Sequence, residues 1–115
     1  MLETNLQHIE SSDALARSCQ QKKNLMICCG QMGAMCTPVF KVMEKLAPVY
    51  PHVSFQDIDM YGPAGDGIAR LPECRNFTAL PFIVYFKNGK VAAATSGLQN
   101  QEQITALLNK HFSKP

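Results

Sequence analysis

The segment from Phe82 to Thr95 constrains this chain more than any other. Phe82-Ile83-Val84-Tyr85-Phe86 and Val91-Ala92-Ala93-Ala94-Thr95 flank Lys87-Asn88-Gly89-Lys90. Asn-Gly between two such runs is the usual type I′ turn, because both central residues need a positive φ. The segment is expected to be a β-hairpin, with Gly97 breaking its second strand.

The other elements follow from pattern. Residues 4–9 suit a short first strand. Ser11-Ser12-Asp13 is a helix-start signal, and the helix is expected to run to about Lys22. Asn24 to Cys29 is a continuous apolar run of strand length, which fits a central strand buried on both faces. Gly30 to Gly33 reads as a loop. Val39, Val42, Met43, Leu46 and Val49 then recur near the helical period. Pro38 and Pro48 lie in that stretch, and a kink is expected at one or both.

His52 to Asp59 reads as a strand through Val53, Phe55 and Ile58. Tyr61-Gly62-Pro63-Ala64-Gly65-Asp66-Gly67 is loop chemistry; no Gly-Lys-Ser/Thr follows, so a phosphate cradle is not indicated. A short helix is expected from Ile68 to about Arg75, weakened by Pro72. The last helix is expected from about Gln101 to Phe112, with Ile104, Leu107, Leu108 and Phe112 on one face. Alternating strands and helices followed by a hairpin imply an α/β fold, a mixed central sheet with helices on both faces.

Composition narrows the class. The chain has 115 residues, enough for one domain over 1–115 with a real core. Hydrophobic residues make up 46% and charged ones 17%, a globular balance. The net charge is +2, with Lys22-Lys23 the one adjacent basic pair, so neither nucleic acid nor a membrane is expected as a partner. Met1-Leu2-Glu3-Thr4-Asn5-Leu6 does not read as a signal peptide, and no apolar run is long enough to span a bilayer. A cytoplasmic location is the expectation. Cys19, Cys28, Cys29, Cys36 and Cys74 are an odd number at irregular spacing, which suits reduced thiols rather than a secreted disulfide framework. Asn76-Phe77-Thr78 matches the glycosylation sequon, which has no meaning in a cytosolic protein.

Several runs resemble the thioredoxin family over nearly the whole chain. Phe77 to Val91 is similar to its cis-proline, hairpin and glycine segment almost residue for residue. Ser96-Gly97, Phe55-Gln56-Asp57-Ile58-Asp59 and Leu46-Ala47-Pro48-Val49-Tyr50 are similar to further family segments. The resemblance implies a thioredoxin-like fold. Counted back without gaps, it sets Cys36 on the family's second motif cysteine. Gly33 then falls on the first, nucleophilic cysteine, Met32 on the preceding tryptophan, and Ile27 on the buried acid of many members. The loop between Asp59 and Pro81 is longer than in a compact thioredoxin.

Thiol–disulfide exchange needs a thiolate that attacks a disulfide in line, and a helix N-terminus lowers the pKa of the attacking cysteine. Gly33 offers no sulfur there, and Cys36 is expected about one turn into the helix. Cys36 acting alone, or paired with Cys28 or Cys29, remains a route to activity. Cys29, next to the motif loop, is the better candidate partner, although core burial is the ordinary role of such cysteines. Cys19 and Cys74 read as structural or incidental. Cys28, Cys29, Met32, Met35 and Cys36 are five soft donors suited to Cu(I), but adjacent strand residues face opposite ways and methionine commonly fills apolar space. No metal ligand set and no cofactor are assigned. His8, His52 and His111 show no ligand spacing.

Binding is the remaining functional element. In the family, the backbone before the cis-proline pairs with an extended peptide as an added strand. Met32, Gly33, Ala34, Met35, Leu80 and Pro81 are the expected substrate-binding residues, facing a protein or peptide partner, with a thiol reductant as a second partner class. Three readings follow: a divergent thioredoxin-like redox protein with weak or no dithiol reductase activity, a non-catalytic peptide-binding module, or a soft-metal carrier.

Overall fold

The computed structural model describes residues 2–74 and 79–112. Its elements are β1 (Gln7–His8), α1 (Ser12–Gln21), β2 (Asn24–Gly30), α2 (Thr37–Leu46), β3 (Ser54–Asp59), α3 (Gly65–Ala69), a 3₁₀ turn (Pro72–Cys74), β4 (Phe82–Lys87), β5 (Lys90–Ser96) and α4 (Gln101–His111). They build a five-stranded sheet in the order β1-β3-β2-β4-β5. The first three are parallel neighbours, while β4 runs antiparallel to both β2 and β5.

The apolar run at β2 is central, as its composition requires. Alternate side chains enter two separate layers. Met26 and Cys28 join Val39, Phe40 and Met43 of α2 and Ile104 and Leu108 of α4. Leu25, Ile27 and Cys29 join Leu15 of α1 and Ile68 of α3. β4 divides in the same way, with Ile83 and Tyr85 on the first face and Phe82, Val84 and Phe86 on the second. Each large aliphatic side chain buried in this way contributes about 1.5–3 kcal/mol.

Local signals mark most element ends. The Ser11 side chain accepts from Ala14 N and starts α1. Asn100 and Gln103 form a reciprocal capping box at the start of α4. Asn88 and Gly89 both take positive φ, 53° and 80°, so the hairpin turns as its sequence demands.

Three expectations need correction. Neither proline kinks α2: Pro38 sits in its first turn, where no intrahelical partner is lost, and Pro48 follows the C-cap at Ala47. The short helix begins earlier than Ile68, at Gly65, and ends at Ala69. Pro72 biases its preceding residue away from helical geometry, so a separate 3₁₀ turn follows at Pro72–Cys74 instead of a continuous helix, and the expected end at Arg75 lies outside the described residues. The first strand is only two residues, because Thr4 and Asn5 bond to side chains: the Thr4 hydroxyl to Asp57, and Asn5 N to Glu44 Oε2 at 2.6 Å. The sequon at Asn76-Phe77-Thr78 lies outside the described residues.

Tyr85 is fully buried, its ring tilted against Phe112 at 6.2 Å between centroids. Its hydroxyl finds no hydrogen-bond partner among the described residues, and burial pushes its pKa far up. An unsatisfied buried hydroxyl costs about 1–3 kcal/mol. Tyr85→Phe is therefore expected to match or exceed the parent in urea denaturation, by up to about 1 kcal/mol. Loss of more than that amount would mean the hydroxyl is bonded in solution.

Candidate functional site

Four chain segments meet at one end of the sheet because of strand register. Gly30 ends β2 opposite Asp59, the last residue of β3. Cys29 pairs with Phe82, so Pro81 lies beside the same end of β2. Phe82 pairs in turn with Ser96, which brings Gly97 and Leu98 alongside, and Gly97 N donates to Pro81 O at 3.0 Å. The Leu80-Pro81 peptide bond is cis. Pro81 is buried, and Leu80 packs partly against both apolar layers.

The loop from Gln31 to Cys36 crosses this end and feeds α2. Its geometry turns helical at Gly33, whose carbonyl accepts from Thr37 N at 2.9 Å. The Thr37 hydroxyl lies 3.4 Å from Gly33 N. Gly33 is exposed, and a side chain added there would meet no atom within 4 Å. Ala34 is exposed beside it. Cys36 closes the first turn, and its carbonyl accepts from Val39 N and Phe40 N. Its thiol is covered, with only 2% of the residue exposed.

Cys36 packs down onto the strand. A Cβ at Gly30 would lie 2.8 Å from Cys36 Sγ and 3.3 Å from the Phe40 ring. Gly30 is therefore where the backbone of β2 makes room for the thiol. Gly30 and Cys28 share a face because they are two residues apart. Cys28 thus belongs to the same layer as Cys36.

Cys29 does not. It points into the opposite layer with Cys74, which corrects the expectation that Cys29 is the better partner for Cys36. The reason is the two-residue period of a strand: the neighbour nearest the loop in sequence faces away from it. All five cysteines are reduced, outside any disulfide. Desolvation raises the pKa of Cys28 well above the ordinary thiol range, and the nearby Cys29, Cys36 and Asp57 add to it. Desolvation likewise drives Cys29 up, with Cys74 and Asp57 contributing. Half-buried Cys19 is raised by desolvation alone.

The five soft donors are also dispersed. Cys28 and Cys29 occupy opposite faces, Cys36 is covered, and Met32 and Met35 are 40% and 54% exposed. Among the described residues no three His, Cys, Asp or Glu side chains converge as a metal site.

Sequence reasoning missed two features. Tyr61 and Leu98 join Met32 and Met35 as large exposed apolar residues at this end, Tyr61 being 77% exposed. Their arrival depends on strand register, which no local pattern announces. The N-terminal segment also reaches the motif: Glu3 N donates to Met32 Sδ at 3.3 Å.

This is the thioredoxin fold, and solved structures share it. Thioredoxin from Fasciola hepatica superposes with a TM-score of 0.74 at 20% identity, covering 92% of this chain and 99% of its own. An N21Q mutant thioredoxin from Halobacterium salinarum gives 0.75 at 16% identity, over 95% of this chain and 92% of its own. Among curated sequences, a thioredoxin of Chlamydia pneumoniae is 30% identical over 76 residues, which span 66% of this chain and 70% of that protein. A thioredoxin of Chlamydia trachomatis serovar D is 29% identical over the same length. No protein-family model matches. The chain belongs to the thioredoxin family.

Two outcomes follow from this geometry. Above about pH 9 the unfolded chain releases thiol protons that native Cys28 and Cys29 retain. The native state then binds more protons, so stability falls as pH rises, with a slope that steepens toward a limit of about 1.4 kcal/mol per pH unit for each thiol. Urea denaturation between pH 8 and 10 should show this slope, and Cys29→Ala should remove one thiol's share. Gly30→Ala is expected to cost about 1–3 kcal/mol by overpacking. It should also speed alkylation of Cys36, read by mass spectrometry, as the thiol is pushed off the strand.

Proposed function

We propose that this thioredoxin-family protein holds an extended protein or peptide segment in a redox-linked setting and has weak or no dithiol reductase activity. Gly33 carries the reading. By the family resemblance it stands where the attacking cysteine belongs, at an exposed helix entrance with open space around it. The remaining motif thiol, Cys36, is covered. Exchange needs an accessible thiolate, and this end of the sheet presents none.

The surface around that point favours binding. Met32, Met35, Tyr61 and Leu98 are large apolar side chains open to solvent at the end where Leu80 and Pro81 lie. Methionines adapt to varied partners, and a backbone edge beside the cis-proline suits strand addition. A client segment would lie over Gly33 and Ala34 between these side chains. Cys36 is the thiol nearest such a client in sequence, and a small thiol reductant is the second partner class. Five reduced cysteines are consistent with work as a single domain in a reducing compartment such as the cytoplasm. Among the described residues no helix is long and apolar enough to cross a membrane.

The test restores the missing sulfur. With dithiothreitol as electron donor, the parent protein is expected to reduce insulin disulfides near the uncatalysed rate. Gly33→Cys adds a thiol at the helix entrance without a clash and is expected to raise that rate at least about tenfold. Parent turnover equal to that of Gly33→Cys, abolished by Cys36→Ala, would overturn the reading.

A further inference from the structure

A cavity of about 360 Å³ opens at the carboxyl ends of β1 and β3, two strands away from the β4 side of the sheet that carries Pro81. Its apolar wall is formed by Leu2, Ile9 and Ala64, all buried, together with Pro63. Such a wall exists before any ligand arrives, as small-molecule sites usually require.

The polar part of the wall is one-sided. Asp57 lines the cavity and is wholly buried, yet both its oxygens are engaged. The Thr4 hydroxyl donates to Oδ2, and His8 Nδ1 lies 2.6 Å from Oδ1. The second imidazole nitrogen, Nε2, offers a further hydrogen-bonding site beside the pair. Glu10 and Asp59, the latter also accepting from Tyr61 N, add two more carboxylates, and among the described residues no lysine or arginine lines the space. Acceptors and negative charge facing an apolar hollow select a ligand with N–H donors, positive charge and a short apolar body.

We propose that this cavity binds a small organic cation, a primary ammonium on an apolar body. The charge lies toward the His8–Asp57 pair and Glu10, and the body lies against Leu2, Ile9 and Ala64. The site is separate from the thiol loop but touches it through one link: Leu2 lines the cavity, and the next residue, Glu3, bonds to Met32.

Benzylamine is the probe, titrated into the full chain and followed by two-dimensional amide NMR, with benzyl alcohol and benzoate as neutral and anionic analogues. Benzylamine is expected to saturate, with a Kd near about 1 mM, and to move the amides of His8, Ile9 and Ala64. Benzoate is expected not to bind. Asp57→Asn should weaken benzylamine at least about tenfold by removing the buried charge. Exposed Glu10→Gln leaves the core untouched and should weaken it about threefold, while remote Glu102→Gln should leave it unchanged. Three results would each overturn the proposal: equal affinity for benzoate and benzylamine, no saturation up to about 20 mM, or unchanged binding in Glu10→Gln.

Discussion

The burial of β2 on both of its faces is the constraint on which the rest of this structure depends. Asn24–Gly30 is paired parallel to β3 on one edge and antiparallel to β4 on the other. Its backbone groups are thereby satisfied, and every side chain from Leu25 to Cys29 is fully buried. Helices α2 and α4 cover one face and α1 and α3 the other. Once that strand is placed, its carboxyl end defines where the loop from Gln31 to Cys36 emerges. The pairing of Cys29 with Phe82 then brings the cis Leu80-Pro81 bond to the same level.

The same burial shapes the chemistry. A thiol in a dry layer holds its proton, and burial raises the pKa of both Cys28 and Cys29. Cys36 descends onto β2 only because Gly30 lacks a side chain. What faces solvent above it is Gly33 and Ala34, flanked by apolar methionines. This end of the sheet therefore presents exposed apolar side chains over a covered thiol. The N-terminal segment reinforces the arrangement, held by Thr4 to Asp57, by Asn5 to Glu44 and by Glu3 to Met32.

Patterns confined to a few neighbouring residues were readable. The Asn88-Gly89 turn, the Ser11 cap and the apolar run of β2 each carry their cause in the local sequence. Helix α4 is legible for the same reason, through Ile104 and Leu108 at helical spacing. Errors arose where a residue's role depends on position within an element. Pro38 and Pro48 suggest a kink at one or both positions, but one falls in the first turn of α2 and the other beyond its end. Nearness along the chain makes Cys29 the better candidate partner of Cys36, whereas the strand turns it to the other layer, into the core burial that is the ordinary role of such a cysteine. The His8–Asp57 contact joins residues 49 apart, and no spacing rule could expose it.

By itself, the sequence determined the class of fold, the order of its elements and the absence of a thiol at Gly33. Those properties follow from hydrophobic period, turn stereochemistry and residue identity, which act over a few bonds. Only the tertiary structure decided which thiols share a layer, which exposed apolar residues gather beside Pro81, and that a buried carboxylate and an imidazole line one cavity. Those properties depend on strand register and on which face each helix covers. Register is set by burying two apolar layers at once, a condition on the whole chain rather than on any segment of it.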